Sequence, residues 1–166
     1  MANLVAVVAG IPGVGKSEFC REYLQNKMGW LHLDIDWLGR SLPWPNDSLK
    51  DSWDTAIKTH DAGPLFNAFN FYGNVVVDWG FPVRCIPFVM GLANYGARIL
   101  WFDGDVPTAR EVFARRGNVS LAAFDRQMSD LRSIHVPAQE GAKVIRVLEE
   151  GPRFLPHEDI YRTAFK

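Results

Sequence analysis

Short apolar runs recur along the chain, and each has the length and β-branched content of a buried strand. The first run, LVAVVA, contains no polar position, which is typical of strands covered on both faces of a parallel sheet. Longer stretches with helical spacing separate the runs, and this alternation predicts a parallel α/β fold. The predicted strands are residues 4–9, 30–35, 74–78, 97–102 and 143–148.

Apolar residues spaced three or four apart predict helices between these strands. One stretch carries Leu121, Phe124, Met128 and Leu131 on a single face, and we expect this stripe to face the core. No linker or repeat interrupts the pattern, so we expect a single domain over residues 1–166. The predicted helical segments are residues 18–24, two short helices within 51–72 that separate near Gly63-Pro64, and residues 84–95, 107–116, 120–133 and 156–165.

The eight residues after the first strand read GIPGVGKS, which fulfils every fixed position of the phosphate-binding pattern G-x-x-x-x-G-K-[ST]. Glycines allow main-chain N–H groups to surround an anion, and the following helix adds the positive end of its dipole. Lys16 is expected to reach the β- and γ-phosphates of ATP, and the Ser17 hydroxyl to ligate Mg²⁺. The alternative is a glycine-rich turn with an exposed lysine. The predicted nucleotide-binding residues of this loop are Gly10, Ile11, Pro12, Gly13, Val14, Gly15, Lys16 and Ser17.

Carboxylates close the second and third predicted strands. Asp34 and Asp36 end the segment LDID, and a carboxylate beyond the carboxyl end of a strand can accept the proton of an attacking hydroxyl. Asp78 ends the apolar run NVVVD, the Walker B pattern whose carboxylate helps to hold Mg²⁺. Helix N-caps and turns are the alternative roles for these aspartates.

Arginines and tryptophans supply further candidates. Arg40 follows Asp36 by four positions and is placed to hold an anionic substrate, unless it is a solvated surface residue. Trp44 lies between two prolines and is expected either to stack on a flat ring of the substrate or to join a local hydrophobic cluster. Arg110, Arg115 and Arg116 lie on one predicted helix. They point in different directions, so one or two of them would neutralise phosphate, and the alternative is a basic solvated face.

Composition adds few restrictions. The 166 residues are 48% apolar and 22% charged, with a formal net charge of -1, so no general attraction to polyanions is expected. Cys20 and Cys85 fit buried thiols in a reducing cytoplasm. No apolar run reaches membrane-spanning length, and the first run is expected to be a core strand rather than a signal peptide. Histidines 32, 60, 135 and 157 show no metal-binding spacing, so we assign none of them as a ligand.

Four segments together resemble the small P-loop kinases of the polynucleotide-kinase-like, AAA-type group, which includes zeta-toxin-like proteins. The segments are GIPGVGKS, LDIDWLGRS, NVVVDWGF and GARILWFDGDVPTAREVFARRGN. The resemblance implies a three-layer fold with a five-stranded parallel sheet of order 2-3-1-4-5 and a small helical lid.

Taken residue by residue, the resemblance implies that Asp36 is the general base, that Asp34 assists it and that Arg115 or Arg116 is the lid arginine. Relatives commonly have two residues between the aspartate and the arginine, whereas three separate Asp36 from Arg40 here. The remaining implied roles are nucleotide binding for Arg110, substrate binding for Arg40, Trp44 and Arg84, and Mg²⁺ binding for Ser17 and Asp78.

These observations predict an ATP- and Mg²⁺-dependent kinase. The acceptor favoured by the resemblance is a hydroxyl of a nucleic acid or nucleotide, such as a polynucleotide 5′-hydroxyl or a hydroxymethylated base in DNA. Two alternatives stay open at this point: a kinase for a small metabolite or antibiotic, and an NTPase or nucleotide-sensing module without an acceptor. Neither the oligomeric state nor a preference for ATP over GTP follows from the sequence.

Overall fold

The computed structural model describes residues 3–117, 120–134 and 141–166. Its strands are β1 (Val5–Gly10), β2 (Leu31–Asp34), β3 (Val75–Asp78), β4 (Arg98–Gly104), β5 (Ala142–Glu149) and β6 (Arg153–Phe154). Helix α1 opens at Lys16–Glu18 and continues through Phe19–Lys27 with wider, π-helical hydrogen bonding. The other helices are α2 (Asp47–Thr59), α3 (Gly63–Phe69), α4 (Ile86–Asn94), α5 (Val106–Arg115), α6 (Leu121–Ile134) and α7 (His157–Phe165).

The strands form one sheet of order β2-β3-β1-β4-β5-β6. The first five strands pair in parallel, which confirms the predicted α/β class and the predicted order. The sixth strand was not predicted: β6 pairs antiparallel with β5 over Leu148–Phe154 and Glu149–Arg153. A strand of two residues is too short for a periodic pattern to reveal. The sheet therefore has one edge strand more than the five strands predicted.

Helices cover both faces of the sheet, as the buried strands require. On one face, alternate residues of β1 such as Val5 and Val7 pack with residues of α2, α3 and α4. On the other face, Ala6 and Val8 pack with residues of α1, α5, α6 and α7. The fold is therefore the predicted three-layer arrangement.

Several helix boundaries differ from the predicted ones. Helix α2 begins four residues early because the Asn46 side chain accepts a hydrogen bond from the Leu49 N–H and caps it. The break between α2 and α3 falls at residues 60–62, and Gly63-Pro64 opens α3 instead of ending its predecessor. The helix predicted from residue 84 begins at Ile86, after a 3₁₀ turn over Val83–Cys85.

Gly10 determines how closely the central strands approach at the end of β1. Its φ is 136°, and a Cβ there would overlap the Phe102 carbonyl oxygen and lie 2.6 Å from the Phe102 nitrogen. The next residue, Ile11, donates its N–H to that same carbonyl at 3.1 Å. Any side chain at position 10 would therefore force β1 and β4 apart at the start of the glycine loop.

We predict that Gly10→Ala lowers the melting temperature more than Gly29→Ala does. Both glycines have positive φ, so each substitution incurs roughly 1–2 kcal/mol of left-handed strain, but only Gly10 adds a main-chain overlap. A Cβ at Gly29 would meet nothing within 4 Å. Thermal unfolding followed by circular dichroism measures both variants. Equal melting temperatures for the two variants would contradict the prediction, because they would show that the overlap with the Phe102 main chain is relieved without loss of stability.

Candidate active site

The glycine loop lies between the carboxyl end of β1 and the first turn of α1. Gly13 and Gly15 both have φ near 80°, a conformation that favours glycine. A Cβ at Gly13 would overlap the Ala109 carbonyl oxygen, so helix α5 packs directly on the loop. Residues 11–14 are buried, whereas Ser17 is exposed on the first turn of α1. The loop therefore has a fixed outer wall, and the N-terminus of α1 faces the open side.

Lys16 crosses back over its own loop. Its Nζ donates a hydrogen bond to the Ile11 carbonyl oxygen at 2.7 Å. The pKa of Lys16 is lowered to about 8, mainly by burial and also by the positive charge of Arg116, against the opposing charges of Asp78 and Asp36. The ammonium group thus lies within electrostatic range of both predicted carboxylates.

Three carboxylates meet at the same edge of the sheet because β2 and β3 run in parallel register. Asp34 and Asp78 are direct cross-strand partners, and Asp78 is only 4% exposed. Partial burial raises the pKa of Asp34 to about 6, and the negative charge of Asp78 contributes. Asp36 follows in the turn after β2 and faces solvent. Partial desolvation and the charge of Asp78 raise its pKa, against the opposing charges of Lys16 and Arg40.

A cavity of about 610 Å³ opens beside the loop and joins residues from five parts of the chain. Ala9 and Gly10 line it where β1 ends, and Asp36, Arg40 and Arg84 line it from the predicted substrate side. Three of the predicted catalytic and substrate residues are thus brought together on one cavity. The cavity also contains residues that the sequence analysis did not single out, namely the polar Gln127 and Asp130 and the apolar Phe81 and Trp101, together with Leu131 of the stripe that was expected to face the core.

Gln127 and Asp130 were missed because they lie on α6, where only the apolar stripe was interpreted. Phe124 and Met128 of that stripe are buried, as predicted. Gln127 and Asp130 lie one and two positions away on the helix, and they turn toward the cavity instead of the core. The helical period shows that these two residues lie outside the apolar stripe, but only the three-dimensional fold shows that they border the cavity.

The predicted arginines divide into different environments. Arg110 donates two hydrogen bonds to Asp125 at 3.1 and 3.2 Å, and this pair joins α5 to α6 on an exposed surface. Arg115 is exposed and lies 3.9 Å from Glu111. Arg116 is close enough to Lys16 for its charge to lower the lysine pKa. Of the three, Arg116 is the one whose charge acts on Lys16 of the glycine loop.

Trp44 does not line the cavity. It is half-buried, packs against the core and lies 6.0 Å from Trp53, ring centre to ring centre. Trp37, directly after Asp36, is instead 53% exposed. The exposed aromatic ring of this region is therefore Trp37, a residue for which the sequence analysis proposed no role.

His32 also lies in the site, although the sequence analysis assigned no histidine a role. Its Nε2 is 3.4 Å from Asp78 Oδ2, and its Nδ1 is 3.3 Å from Gln25 Oε1. Strand alternation from Asp34 is the signal that places His32 on the same face of β2. Cys20 is buried nearby, and burial together with the charge of Asp78 raises the pKa of its thiol well above the ordinary range. His60 and His157 lie elsewhere, and His135 lies outside the described residues.

The residues present fit a nucleoside triphosphate with a hard divalent cation. A glycine loop at the carboxyl end of a strand, the Lys16 ammonium and a helix N-terminus are the usual partners of a polyphosphate. The Ser17 hydroxyl and the Asp78 carboxylate are oxygen donors of the kind that Mg²⁺ prefers. Phe154 of β6, which is 46% exposed, lies beside Gly15 and adds an aromatic ring at the border of the loop.

Across the described parts of the chain, no helix has both the length and the apolar character needed to cross a membrane. Cys20 and Cys85 are both free and buried, as predicted.

Comparison with known proteins identifies the fold. No protein-family model and no curated protein matches the sequence. A gluconokinase from Sinorhizobium meliloti is 19% identical, with 98% of this chain and 89% of that chain covered and a TM-score of 0.53. A tunicamycin resistance protein from Deinococcus radiodurans is 15% identical, with 98% and 93% covered and a TM-score of 0.59. At these identities the likeness concerns the fold, and the chain has the α/β fold of P-loop kinases.

We predict that Asp34→Asn stabilises the protein at pH 7 and does not at pH 4. The folded-state pKa of about 6 lies above the ordinary 3.8, so Asp34 contributes stability below pH 4 that is lost as the pH rises through 6. That difference corresponds to roughly 3 kcal/mol. Solvent screening of this half-exposed carboxylate reduces the expected gain in the free energy of unfolding to about 1 kcal/mol. A gain of that size raises the melting temperature by about 3 °C.

Thermal unfolding of wild type and variant between pH 4 and pH 7 measures this effect. Asp125→Asn is the matched control, because the hydrogen bond from Arg110 lowers the pKa of Asp125 and its removal should not stabilise the protein. An Asp34→Asn melting temperature equal to or below that of wild type at pH 7 would contradict the prediction.

Proposed function

We propose that the protein is an ATP-dependent phosphotransferase whose acceptor is a hydroxyl group on a small, negatively charged molecule. The observation that carries this proposal is the cavity beside the glycine loop, because its wall contains both the end of β1 and Asp36, Arg40 and Arg84. A phosphoryl donor bound at the loop and an acceptor bound in this cavity would be adjacent. Adjacency is the main requirement for phosphoryl transfer, which depends on positioning and electrostatic stabilisation.

The nucleotide side of the proposal rests on Lys16 and the glycine loop. When bound, ATP with Mg²⁺ supplies the transferable phosphoryl group, and Ser17 and Asp78 are the residues that would hold the cation. Lys16 is held on the Ile11 carbonyl at 2.7 Å, at the mouth of the loop. Its charge, together with that of Arg116, is placed to balance the negative charge of the transferred group.

Asp36 is the proposed general base. It lines the cavity, and its raised pKa makes it a better proton acceptor than an ordinary surface aspartate. In the proposed step, the acceptor hydroxyl would give its proton to an Asp36 carboxylate oxygen as the new oxygen–phosphorus bond forms, while the bond from the γ-phosphorus to the β–γ bridging oxygen of ATP breaks and ADP leaves with that electron pair. Asp34 lies closer to Asp78 and would support Asp36 through its charge, as the sequence analysis expected of it.

Arg40 and Arg84 support an anionic acceptor. Both are exposed and line the cavity from different parts of the chain, so each guanidinium group is available to a carboxylate or phosphate group of an acceptor bound there. A volume of about 610 Å³ lies in the range of small-molecule sites. A polynucleotide would normally need several basic contacts along its backbone, and the formal net charge is only -1.

The second candidate is a nucleic-acid or nucleotide acceptor, which the sequence resemblance to polynucleotide-kinase-like enzymes favours. Trp37 supports it, because a ring that is 53% exposed beside the proposed base offers a stacking surface for a nucleobase. Under this second candidate, the protein would be a polynucleotide-kinase-like enzyme that modifies DNA. A cytoplasmic location is proposed for either candidate. The oligomeric state has no bearing on either candidate.

A transfer assay with labelled ATP distinguishes the acceptors. The panel contains sugar acids, sugar phosphates, nucleotides, 5′-hydroxyl oligonucleotides and aminoglycosides. We expect label on a small anionic compound, with turnover nearly independent of salt, whereas an oligonucleotide acceptor would give binding that weakens steeply with salt. Arg84→Ala should raise the acceptor KM by about tenfold, because one charge-assisted hydrogen-bonding partner is lost. The KM of ATP should change little.

Arg126→Ala is the matched control for that variant, since Arg126 is exposed on the same helix as Gln127 but does not line the cavity. Equal acceptor KM values for the two variants would remove Arg84 from acceptor binding. ADP release that no panel compound accelerates would contradict the kinase proposal and leave an NTPase or nucleotide sensor.

We predict that Asp36→Asn reduces phosphoryl transfer by about a hundredfold or more while ATP binding is retained. The amide cannot accept the hydroxyl proton, and general-base catalysis contributes about 10²–10⁴-fold. Steady-state kinetics gives the rate, and calorimetric titration with a non-hydrolysable ATP analogue gives the affinity. Asp51→Asn on α2 serves as the control for an exposed carboxylate outside the cavity. Wild-type turnover in Asp36→Asn would rule out this residue as the base.

A further inference from the structure

A thiol, an imidazole and a carboxylate meet under the first turns of α1. The Cys20 sulfur, a His32 ring nitrogen and an Asp78 carboxylate oxygen lie within 4.8 Å of one another. We refer to these residues as the Cys–His–Asp cluster. Sulfur and imidazole donors with one carboxylate suit zinc-class cations, whereas Mg²⁺ prefers oxygen ligands alone. The proposed phosphoryl transfer uses neither Cys20 nor His32.

Three regular elements build the cluster, so the fold holds its members in place. Cys20 is fully buried on α1, and Asp78 ends β3 with 4% of its surface exposed. His32 lies on β2 and shares a face with Asp34, the direct partner of Asp78 in the parallel ladder. The side chain of His32 is also largely buried, with 8% of its surface exposed, so all three donor groups lie away from bulk solvent.

The two ring nitrogens of His32 face different groups. Nδ1 lies 3.3 Å from Gln25 Oε1, and Nε2 lies 3.4 Å from Asp78 Oδ2. Nδ1 can therefore donate to the amide oxygen while Nε2 and the Asp78 oxygen, side by side, offer lone pairs to a cation. An outer hydrogen bond on the second ring nitrogen is also the usual arrangement of metal-ligating histidines.

One separation, between His32 and Asp78, is that of a tetrahedral zinc site. Ligand bonds of roughly 2.0–2.2 Å at tetrahedral angles place a nitrogen and an oxygen about 3.4 Å apart. Between His32 Nε2 and Asp78 Oδ2 the distance is 3.4 Å. A sulfur ligand would lie about 3.6 Å from that nitrogen, so Cys20, within 4.8 Å, needs a movement of about 1 Å at most.

We propose that the Cys–His–Asp cluster binds one zinc-class divalent cation. On binding, the Cys20 S–H bond breaks, the proton passes to solvent, and the thiolate sulfur donates an electron pair to the metal. His32 Nε2 and one Asp78 oxygen donate the second and third pairs, and water takes the fourth position. Thiolate and carboxylate together carry two negative charges, which neutralise the cation in this largely buried place.

Occupation of this site withdraws Asp78 from the nucleotide-bound Mg²⁺. The consequence, which rests on the proposed function, is reversible inhibition of phosphoryl transfer by zinc-class cations. The binding site itself does not rest on that function, because metal binding is measurable without nucleotide or acceptor.

Spectroscopic titration of the reduced, metal-free full chain with Co²⁺ tests the site directly. We expect one equivalent to bind with a thiolate-to-cobalt charge-transfer absorption in the near ultraviolet, and we expect Zn²⁺ to displace it. Cys20→Ser should abolish this absorption and weaken Zn²⁺ binding by on the order of 100-fold or more, since even outer-shell changes cost about 10–100-fold. Gln25→Ala should weaken Zn²⁺ binding by about 10–100-fold, because Gln25 contacts the His32 ring nitrogen that would not bind the metal.

Cys85→Ser is the matched control, because Cys85 is the other buried free thiol and packs in the opposite core layer. It should retain the absorption and the affinity of the wild type. Absence of the absorption in the wild type overturns the proposal whether or not any variant folds. Persistence of the absorption in a folded Cys20→Ser, checked by its melting temperature, overturns it as well.

Discussion

The parallel pairing of β1 with both β3 and β4 is the constraint on which the rest of the structure depends. Every residue of β1 is buried, and both ladders bring the carboxyl ends of the strands to one edge of the sheet. At that edge Gly10 approaches the Phe102 main chain so closely that no side chain fits. The glycine loop, Lys16 and the ends of β2 and β3 therefore have fixed relative positions before any ligand binds.

One consequence of this arrangement is a concentration of negative charge. Asp34, Asp36 and Asp78 lie at one edge, and desolvation together with the charge of Asp78 raises the pKa of the first two. Lys16 and Arg40 are cations near them, and burial lowers the pKa of Lys16 to about 8. A polyphosphate alone would add negative charge to this place, whereas a polyphosphate with its divalent cation adds far less. The electrostatics thus favour binding of nucleotide and metal as one unit.

The sequence predicted most of this fold because buried parallel strands leave a strong signal in hydrophobic runs. The resemblance to P-loop kinases placed Asp36, Arg40 and Arg84 on the catalytic and substrate side, and all three line one cavity. His32 was missed because histidines were compared by their spacing along the chain, whereas its neighbours come from two other elements. Contacts between elements distant in sequence depend on three-dimensional placement, which linear spacing does not contain.

Asp78 is the point at which the two proposed cation sites meet, and hydration separates them. Mg²⁺ dehydrates reluctantly and keeps several waters, so in the proposed function it would share Asp78 with the exposed hydroxyl of Ser17 and with solvent. Zinc-class cations exchange water for sulfur and nitrogen ligands, so their place is the buried side, toward Cys20 and His32. Because one carboxylate cannot fully serve both sides, binding on one side lowers the affinity of the other, and this coupling is reciprocal.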